Sequence, residues 1–220
     1  MENKEDNNIV DQILIGNRPI PMKIAEKVLK SICKIIINKE GKRAFGTGFF
    51  MKITSSLNFL LTNFHVINPN IVNKINSIIH IEINNQNYEL ILKNRFIKYF
   101  DKPIDVTVIQ IKSEDKFFNN IEFLGYDSNY KQNGYNIYKD VDVFSIQHPF
   151  GEDAAIASGK IEEIHNEQFY HSISTQFGSS GCPIILNSNN INLIQVIGIH
   201  KNADNNKKLN GGTFIGVIIE

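Results

Sequence analysis

Short apolar runs, alternating or continuous, dominate the chain after a polar start. The first twenty residues are polar, and we predict a flexible N-terminus there. The apolar spacing from Pro21 to Ile32, with proline near the start, predicts a helix. The later runs are rich in β-branched and aromatic residues and are separated by Asn, Gly, Lys and Pro, which predicts strands. Twelve predicted strands begin at Ser31, Gly46, Leu57, Ser77, Asn87, Asp105, Asp140, Ala155, Gln168, Pro183, Asn192 and Gly212.

The predicted strands fall into two sets of six. The polar segment Ser113–Asn136, rich in Asn and Tyr, separates the sets and is typical of a linker. The pattern therefore predicts an all-β protein of two six-stranded antiparallel β-barrels with a short N-terminal helix. We expect the flexible N-terminus over 1–20, the helix and first barrel over 21–118, and the linker and second barrel over 119–220.

Composition and charge narrow the range of functions. Lys+Arg and Asp+Glu number 23 each, and this balance argues against a nucleic-acid partner or a basic membrane-binding surface. No apolar segment is long enough for a bilayer and the acidic start lacks secretory-signal features, so we expect a cytoplasmic protein that is not bound to a membrane. The two cysteines, Cys33 and Cys182, are expected to be free thiols in a reducing compartment. No His/Cys spacing fits a zinc site, and we expect neither a metal nor another cofactor.

Three polar residues are candidates for the parts of a nucleophilic site. A serine hydroxyl needs an adjacent general base, and the base needs a third group that holds it in the right tautomer. His65 follows the apolar run LLTNF and is the candidate base, while Asp105 opens the apolar run DVTVIQI and is the candidate orienting acid. Ser180 is the candidate nucleophile, and Gly178 and Gly181 around it free the backbone to turn its N–H groups toward a developing oxyanion.

These motifs resemble those of the trypsin/chymotrypsin-like serine proteases. GTGFF from Gly46 is similar to the family's first-barrel strand, LTNFHVI to its histidine motif, DVTVIQI to its aspartate motif and GSSGCP to its serine motif. The order His, Asp, Ser is the chymotrypsin order. The resemblance runs from about Cys33 to Ile219, and it implies a chymotrypsin-like double barrel and an oxyanion hole formed by the N–H groups of Gly178 and Ser180.

Two positions depart from the family motif. Cys182 stands where a second glycine is usual, and we expect a mild effect because it points away from the hole. Ser179 stands where secreted digestive members carry an aspartate that receives a freshly cut N-terminus. We therefore expect no trypsin-type zymogen activation.

The resemblance also implies a substrate preference. Ser174 stands where trypsin-like members bind Lys or Arg with an aspartate, so basic specificity is not supported. Thr175 and His200 are similar to the pair that binds Glu or Gln in glutamyl endopeptidases and picornaviral cysteine proteases. Hydroxyl and imidazole can both donate to a carboxylate or amide oxygen, so we expect cleavage after Glu or Gln. The backbone of Lys201, Asn202 and Ala203 is expected to pair with a polypeptide substrate as an added strand.

Each motif alone also fits a structural role, such as a turn or a buried histidine. Their joint occurrence in family order favours the catalytic interpretation. One alternative is a catalytically silent, protease-like module that binds peptides, with a collapsed oxyanion hole or with residues 1–30 in the cleft. Another is Cys182 as the nucleophile. The sequence leaves the oligomeric state open.

Overall fold

The fold is that of a computed structural model, which describes residues 19–39, 42–54, 56–74, 77–188 and 193–220. The flexible N-terminus predicted over 1–20 lies outside these residues except for its last two positions. Among the described residues, no helix has the length and apolarity needed to cross a lipid bilayer.

Strands make up most of the regular structure. The helices are α1 Met22–Leu29, α2 Pro69–Lys74, α3 Tyr130–Asn133 and α4 Gly216–Ile219, with 3₁₀ turns at Phe118–Asn120, Tyr135–Tyr138 and Pro149–Gly151. The strands of the N-terminal half are β1 Ile32–Lys39, β2 Lys42–Thr54, β3 Leu57–Thr62, β4 Ile78–Ile83, β5 Gln86–Ile91, β6 Ile97–Phe100 and β7 Val106–Ile111. Those of the C-terminal half are β8 Gly125–Tyr126, β9 Asp142–Gln147, β10 Ala155–His165, β11 Gln168–His171, β12 Pro183–Leu186, β13 Gln195–Asp204 and β14 Leu209–Phe214.

The N-terminal half is one antiparallel sheet of seven strands in the order β5-β4-β1-β2-β3-β7-β6. Its central strand β2 alternates between two cores: Phe49 and Met51 pack in one hydrophobic cluster and Phe50 in another. The strand β6 was not predicted, because its four residues carry a lysine in the middle and give no apolar run.

The C-terminal half contains a closed barrel. Its order is β12-β9-β10-β11-β14-β13-β8, and a further pairing of β12 with β13 closes six of these strands into a barrel. The two-residue β8 adds to β13 in parallel at the edge. The predicted all-β class is confirmed, and so is a six-stranded barrel in this half. The N-terminal half, predicted as the other six-stranded barrel, is a sheet of seven strands because β6 adds to β7.

Both ends of the chain differ in detail from the prediction. Helix α1 ends at Leu29, because Ile32 already pairs with Phe49 in the sheet. The last predicted strand stops at Phe214 and gives way to α4. Gly216, at the start of α4, allows close packing against Tyr135, because a Cβ there would lie 2.4 Å from the tyrosine hydroxyl.

Candidate active site

Strand pairing brings His65 and Asp105 together. Thr62 at the end of β3 is opposite Thr107 near the start of β7, so the residues just beyond these strand ends are neighbours. His65 Nδ1 lies 2.7 Å from Asp105 Oδ2, and the His65 backbone N–H donates to Asp105 Oδ1 at 3.0 Å. The Asp105 side chain is 7% exposed, whereas that of His65 is 42% exposed. A buried carboxylate thus orients an imidazole that faces solvent.

The backbone of Asp105 is itself held in an unusual conformation. Its φ of +59° lies in the left-handed region, which is uncommon for residues other than glycine. Its carbonyl accepts hydrogen bonds from Asn63 Nδ2 at 2.9 Å and from the Phe64 N–H at 3.2 Å. These bonds to the histidine turn stabilise the conformation that aims the carboxylate at His65.

The turn around Ser180 requires its two glycines. Gly178 and Gly181 have φ of +92° and +90°. A Cβ on Gly178 would lie 2.6 Å from the His148 carbonyl, and one on Gly181 would lie 2.3 Å from the Thr47 carbonyl. The conformation and the close backbone approach both exclude a side chain at these positions.

Thr47 fastens this turn to the N-terminal half. Its N–H donates to the Ser180 carbonyl at 2.8 Å, and its hydroxyl donates to the Gly178 carbonyl at 2.8 Å. The same hydroxyl oxygen accepts from the His148 N–H at 3.1 Å. Thr47 is fully buried. Sequence analysis missed this residue; its signal is a threonine inside the apolar motif GTGFF.

The Ser180 hydroxyl does not contact His65 directly. It donates to the Lys201 carbonyl at 3.5 Å, at the long limit for a hydrogen bond, and the hydrogen bonds of the described residues include none from it to His65. The N–H groups of Gly178 and Ser180 have no acceptor within the described part of the chain. Two backbone donors and a rotatable hydroxyl therefore lie together at this turn.

One cleft of about 550 Å³ joins the candidate residues. The lining residues that sequence analysis predicted are His65, Asp105, Ser180, Lys201 and Asn202; those it did not predict are Lys102, Pro103 and Gln168. Ala203 lies just beyond the cleft, exposed, in the part of β13 that pairs with β14. The structure thus brings the candidate base, acid and nucleophile and the first two residues of the predicted substrate strand to one cleft.

The predicted specificity residues lie apart from this cleft. Thr175 is half-buried and His200 is 3% exposed, and neither is among the described residues that line the cleft. His200 Nδ1 lies 3.2 Å from Nε2 of the buried His171. Burial, with a smaller contribution from His65, lowers the pKa of His200 to about 4, and burial holds the pKa of His171 well below its usual value. The pair is therefore neutral at physiological pH.

Cys182 is inaccessible. Its side chain is fully buried, and burial raises the pKa of its thiol to about 12. Because the thiolate is the nucleophilic form of cysteine, a buried neutral thiol does not act as a nucleophile. Ser180, by contrast, lines the same cleft as His65.

An all-β fold that gathers a histidine–aspartate pair and a glycine-flanked serine in one cleft is the arrangement of chymotrypsin-like hydrolases. The family model of the trypsin-like peptidase domain matches residues 46–199, which is more than half of the chain. The protein belongs to this family. A search of curated protein sequences finds no match.

Solved structures of serine proteases share the fold. The serine endoprotease from Yersinia pestis superposes with a TM-score of 0.64 at 16% identity, covering 91% of this chain and 65% of that one. This chain therefore spans less than two thirds of the length of the Yersinia chain. An inactive mutant form of Rv3671c from M. tuberculosis H37Rv superposes with a TM-score of 0.63 at 16% identity, covering 95% and 93%. The chymotrypsin-like fold that the sequence motifs implied is thereby confirmed.

Proposed function

We propose that the protein is a serine endopeptidase that hydrolyses peptide bonds through an acyl-enzyme. Ser180 is the nucleophile, His65 the general base and Asp105 the group that orients it. The observation that carries this proposal is the 2.7 Å contact between His65 and the buried Asp105, in a cleft that Ser180 also lines. Family membership supports a polypeptide as the substrate.

The contact with Asp105 determines which tautomer of His65 can act. A carboxylate only accepts hydrogen bonds, so Nδ1 carries the proton and Nε2 presents a lone pair. Rotation of the Ser180 side chain away from the Lys201 carbonyl directs its hydroxyl toward that lone pair. Catalytic hydrogen bonds are often long or misaligned before substrate binds, so the resting rotamer is compatible with this step.

Acylation then proceeds in two steps. Ser180 Oγ bonds to the substrate carbonyl carbon as its proton moves to His65 Nε2, and the carbonyl oxygen becomes an oxyanion. The N–H groups of Gly178 and Ser180 stabilise that oxyanion; loss of one such donor typically costs about 10²–10³-fold in turnover. The C–N bond breaks as His65 returns the proton to the leaving amine, and Asp105 stabilises the transient imidazolium.

Deacylation repeats the sequence with water. His65 takes a proton from the water as its oxygen bonds to the acyl carbon. Collapse of the second oxyanion breaks the bond to Ser180 Oγ, which regains its proton from His65. The cycle returns the enzyme unchanged and consumes one water for each peptide bond.

We propose cleavage after Glu or Gln, with Thr175 and His200 as the recognising pair. A neutral imidazole is a hydrogen-bond donor without charge, which suits the amide oxygen of Gln as well as the carboxylate of Glu. The low pKa of His200 supports this neutral role.

A protease-like module that binds peptides without cutting them is the second candidate. The observation in its favour is the Ser180 hydroxyl, which is directed at the Lys201 carbonyl rather than at His65. Helix α1 does not occupy the cleft, because Ile24 and Val28 pack in the core. The rest of the segment 1–30 that could fill the cleft lies mostly outside the described residues.

The test compares the purified protein with Ser180→Ala on a diverse peptide library, with cleavage sites read by mass spectrometry. Cuts that vanish in Ser180→Ala establish the nucleophile, and their position tests the Glu/Gln proposal.

Asp105→Asn should lower turnover by about 10⁴-fold, because it favours the wrong histidine tautomer. Cuts after Lys or Arg would overturn the specificity, and no cleavage by the unaltered protein would favour the binding module. A serine-selective fluorophosphonate that labels the protein but not Ser180→Ala distinguishes Ser180 from Cys182.

A further inference from the structure

The Lys201 side chain is a buried cation beside the nucleophile. Lys201 is 7% exposed, and its Nζ donates to the Pro103 carbonyl at 2.9 Å and to Gln168 Oε1 at 2.7 Å. Both acceptors are neutral, and an ammonium has three N–H donors. Two donors are therefore bonded without neutralising the charge, and the side chain lines the cleft of His65 and Ser180.

The cleft carries excess positive charge close to this ammonium. Among the described residues, no carboxylate lies within ion-pair distance of Lys201, and both oxygens of Asp105 already accept hydrogen bonds from His65. Lys102 lines the same cleft. Burial lowers the pKa of Lys201, and the charge of Asp105 partly opposes this. A buried cation with neutral partners is costly, and an incoming carboxylate would offset that cost.

We propose that this cleft binds a carboxylate side chain of the substrate, carried by the residue immediately before the cut residue, with Lys201 as its main partner and Lys102 at the rim. The inference rests on the proposed peptidase function and adds a second specificity site to it. A Glu or Asp at that substrate position would meet a cleft lined by two lysines, Lys102 and Lys201, and by one aspartate, Asp105.

Strand geometry assigns the substrate position. His200 contacts His171 within the barrel, and the next residue, Lys201, lies at a β-bulge of β13 and reaches out of the barrel to Pro103. In a substrate strand paired with Lys201, Asn202 and Ala203, successive side chains point to opposite faces. If the cut residue faces Thr175 and His200, the residue before it faces Lys201.

The experiment uses two peptides that differ only in having glutamate or glutamine before the cut residue. The cut residue is the one found with the library, or glutamine if the library shows no cut. A charge-assisted hydrogen bond predicts that the protein cleaves the glutamate peptide with kcat/KM about tenfold higher. Lys201→Met should bring this ratio close to one, through a larger loss on the glutamate peptide than on the glutamine peptide. Lys201→Arg should keep the preference, because it keeps the charge. Lys131→Met, at an exposed lysine of α3, is the matched control and should leave the ratio unchanged.

The outcomes separate this inference from the proposed function. A ratio of one or less in the unaltered protein overturns the inference even though cleavage occurs. An equal loss on both peptides in Lys201→Met also overturns it, because it would show that Lys201 only holds the Pro103 loop. If no peptide is cut, the proposed function fails instead, and calorimetric titration of both peptides into Ser180→Ala still tests the preference: tighter binding of the glutamate peptide supports it, and equal binding overturns it.

Discussion

The Thr47 hydroxyl donates to the Gly178 carbonyl, in the turn around Ser180, and accepts from the N–H of His148. Both bonds are buried and neither can be replaced by water without rearrangement. The orientation of the Gly178 peptide, and with it the position of the proposed oxyanion donors, therefore depends on one side chain.

Thr47→Val keeps the shape of the residue and removes these two hydrogen bonds. We expect a loss of about 1–3 kcal/mol in unfolding free energy and a fall in kcat of tenfold or more, with a smaller change in KM. The matched control is Thr107→Val, which removes one buried hydroxyl bond to the Ile67 carbonyl. Urea unfolding and steady-state kinetics of both variants check this; an equal fall in kcat in both would contradict a positioning role for Thr47.

The buried His171–His200 pair makes stability depend on pH. In the unfolded chain an imidazole takes up a proton near pH 6.5, but His200 in the folded protein does so only near pH 4. Between these values the unfolded state binds more protons, so stability decreases as the pH falls. The contribution of His200 is about 3 kcal/mol between pH 7 and pH 4, at about 1.4 kcal/mol for each pKa unit.

His200→Gln should flatten this acid dependence in urea unfolding at pH 7, 5.5 and 4. His80→Gln, at a side chain that is 47% exposed, is the control and should leave the dependence unchanged. If the unfolding free energy of His200→Gln depended on pH in the same way as that of the unaltered protein, the buried neutral His200 would not contribute to the acid dependence.

Sequence reasoning identified His65 and Asp105 because each lies at the end of an apolar strand, which is a local signal. It missed Thr47 and the Lys201 side chain because their partners are distant: the Thr47 bond to Gly178 spans 131 residues and the Lys201 bond to Pro103 spans 98. A pattern of neighbouring residues cannot predict such contacts, because they form only when the two halves of the chain pack together.

At the scale of elements, Arg95 joins three segments of the N-terminal sheet. Its guanidinium pairs with Asp115 after β7, bonds to the Gln110 carbonyl on β7 at 3.1 Å, and also bonds to the Ile91 carbonyl at the end of β5. The side chains of Arg95 and Asp115 are both 7% exposed. Through its bonds to the two carbonyls, Arg95 connects β5 and β7, which are not neighbours in the sheet order.

Arg95→Met should destabilise the protein by about 3–5 kcal/mol, because it leaves the Asp115 carboxylate buried without a counter-charge. Lys112→Met, which removes a partly exposed cation 3.7 Å from Glu114 in the same loop, should change the unfolding free energy by less than about 1 kcal/mol. Urea unfolding of the two variants measures the difference, and similar small losses in both would show that the buried pair contributes no more than a surface pair.

Elements were predictable where apolar runs were long and unpredictable where they were short or ambiguous. The short β6 gave no signal because it has four residues with a lysine among them. The apolar run after Gly212 predicted a strand through its end, yet its last part is the helix α4, since a run of apolar residues fits a buried strand or a buried helix equally well.

At the scale of the whole molecule, one hydrophobic cluster belongs to both halves. Phe49 and Met51 of β2 pack with Phe144 of β9 and Ile185 of β12, and Ile24 of α1 joins them. Because the candidate site also uses residues of both halves, the contacts that stabilise the fold also hold the turn around Ser180 close to the His65–Asp105 pair.

We expect the two halves to unfold as one cooperative unit. Ile185→Ala, in the shared cluster of the C-terminal half, should cost about 2–5 kcal/mol and should lower hydrogen-exchange protection of β3 amides as much as that of β10 amides. Ile184→Ala, at the adjacent residue that faces the barrel interior, controls for lost volume. Protection lost only in the C-terminal half, in both variants, would mean that the halves unfold separately.

Because both cysteines are buried, their reactivity reports whether the protein is folded. Cys33 and Cys182 are the two thiols of the chain, both are fully buried, and burial raises the pKa of each. A maleimide reagent should therefore react only with molecules that have unfolded locally or globally. The rate of labelling measures how often this unfolding exposes the thiols, and no engineered probe is needed. The unfolded fraction of the protein can thus be followed even in a cell extract, from the mass that the reagent adds to Cys33 and Cys182.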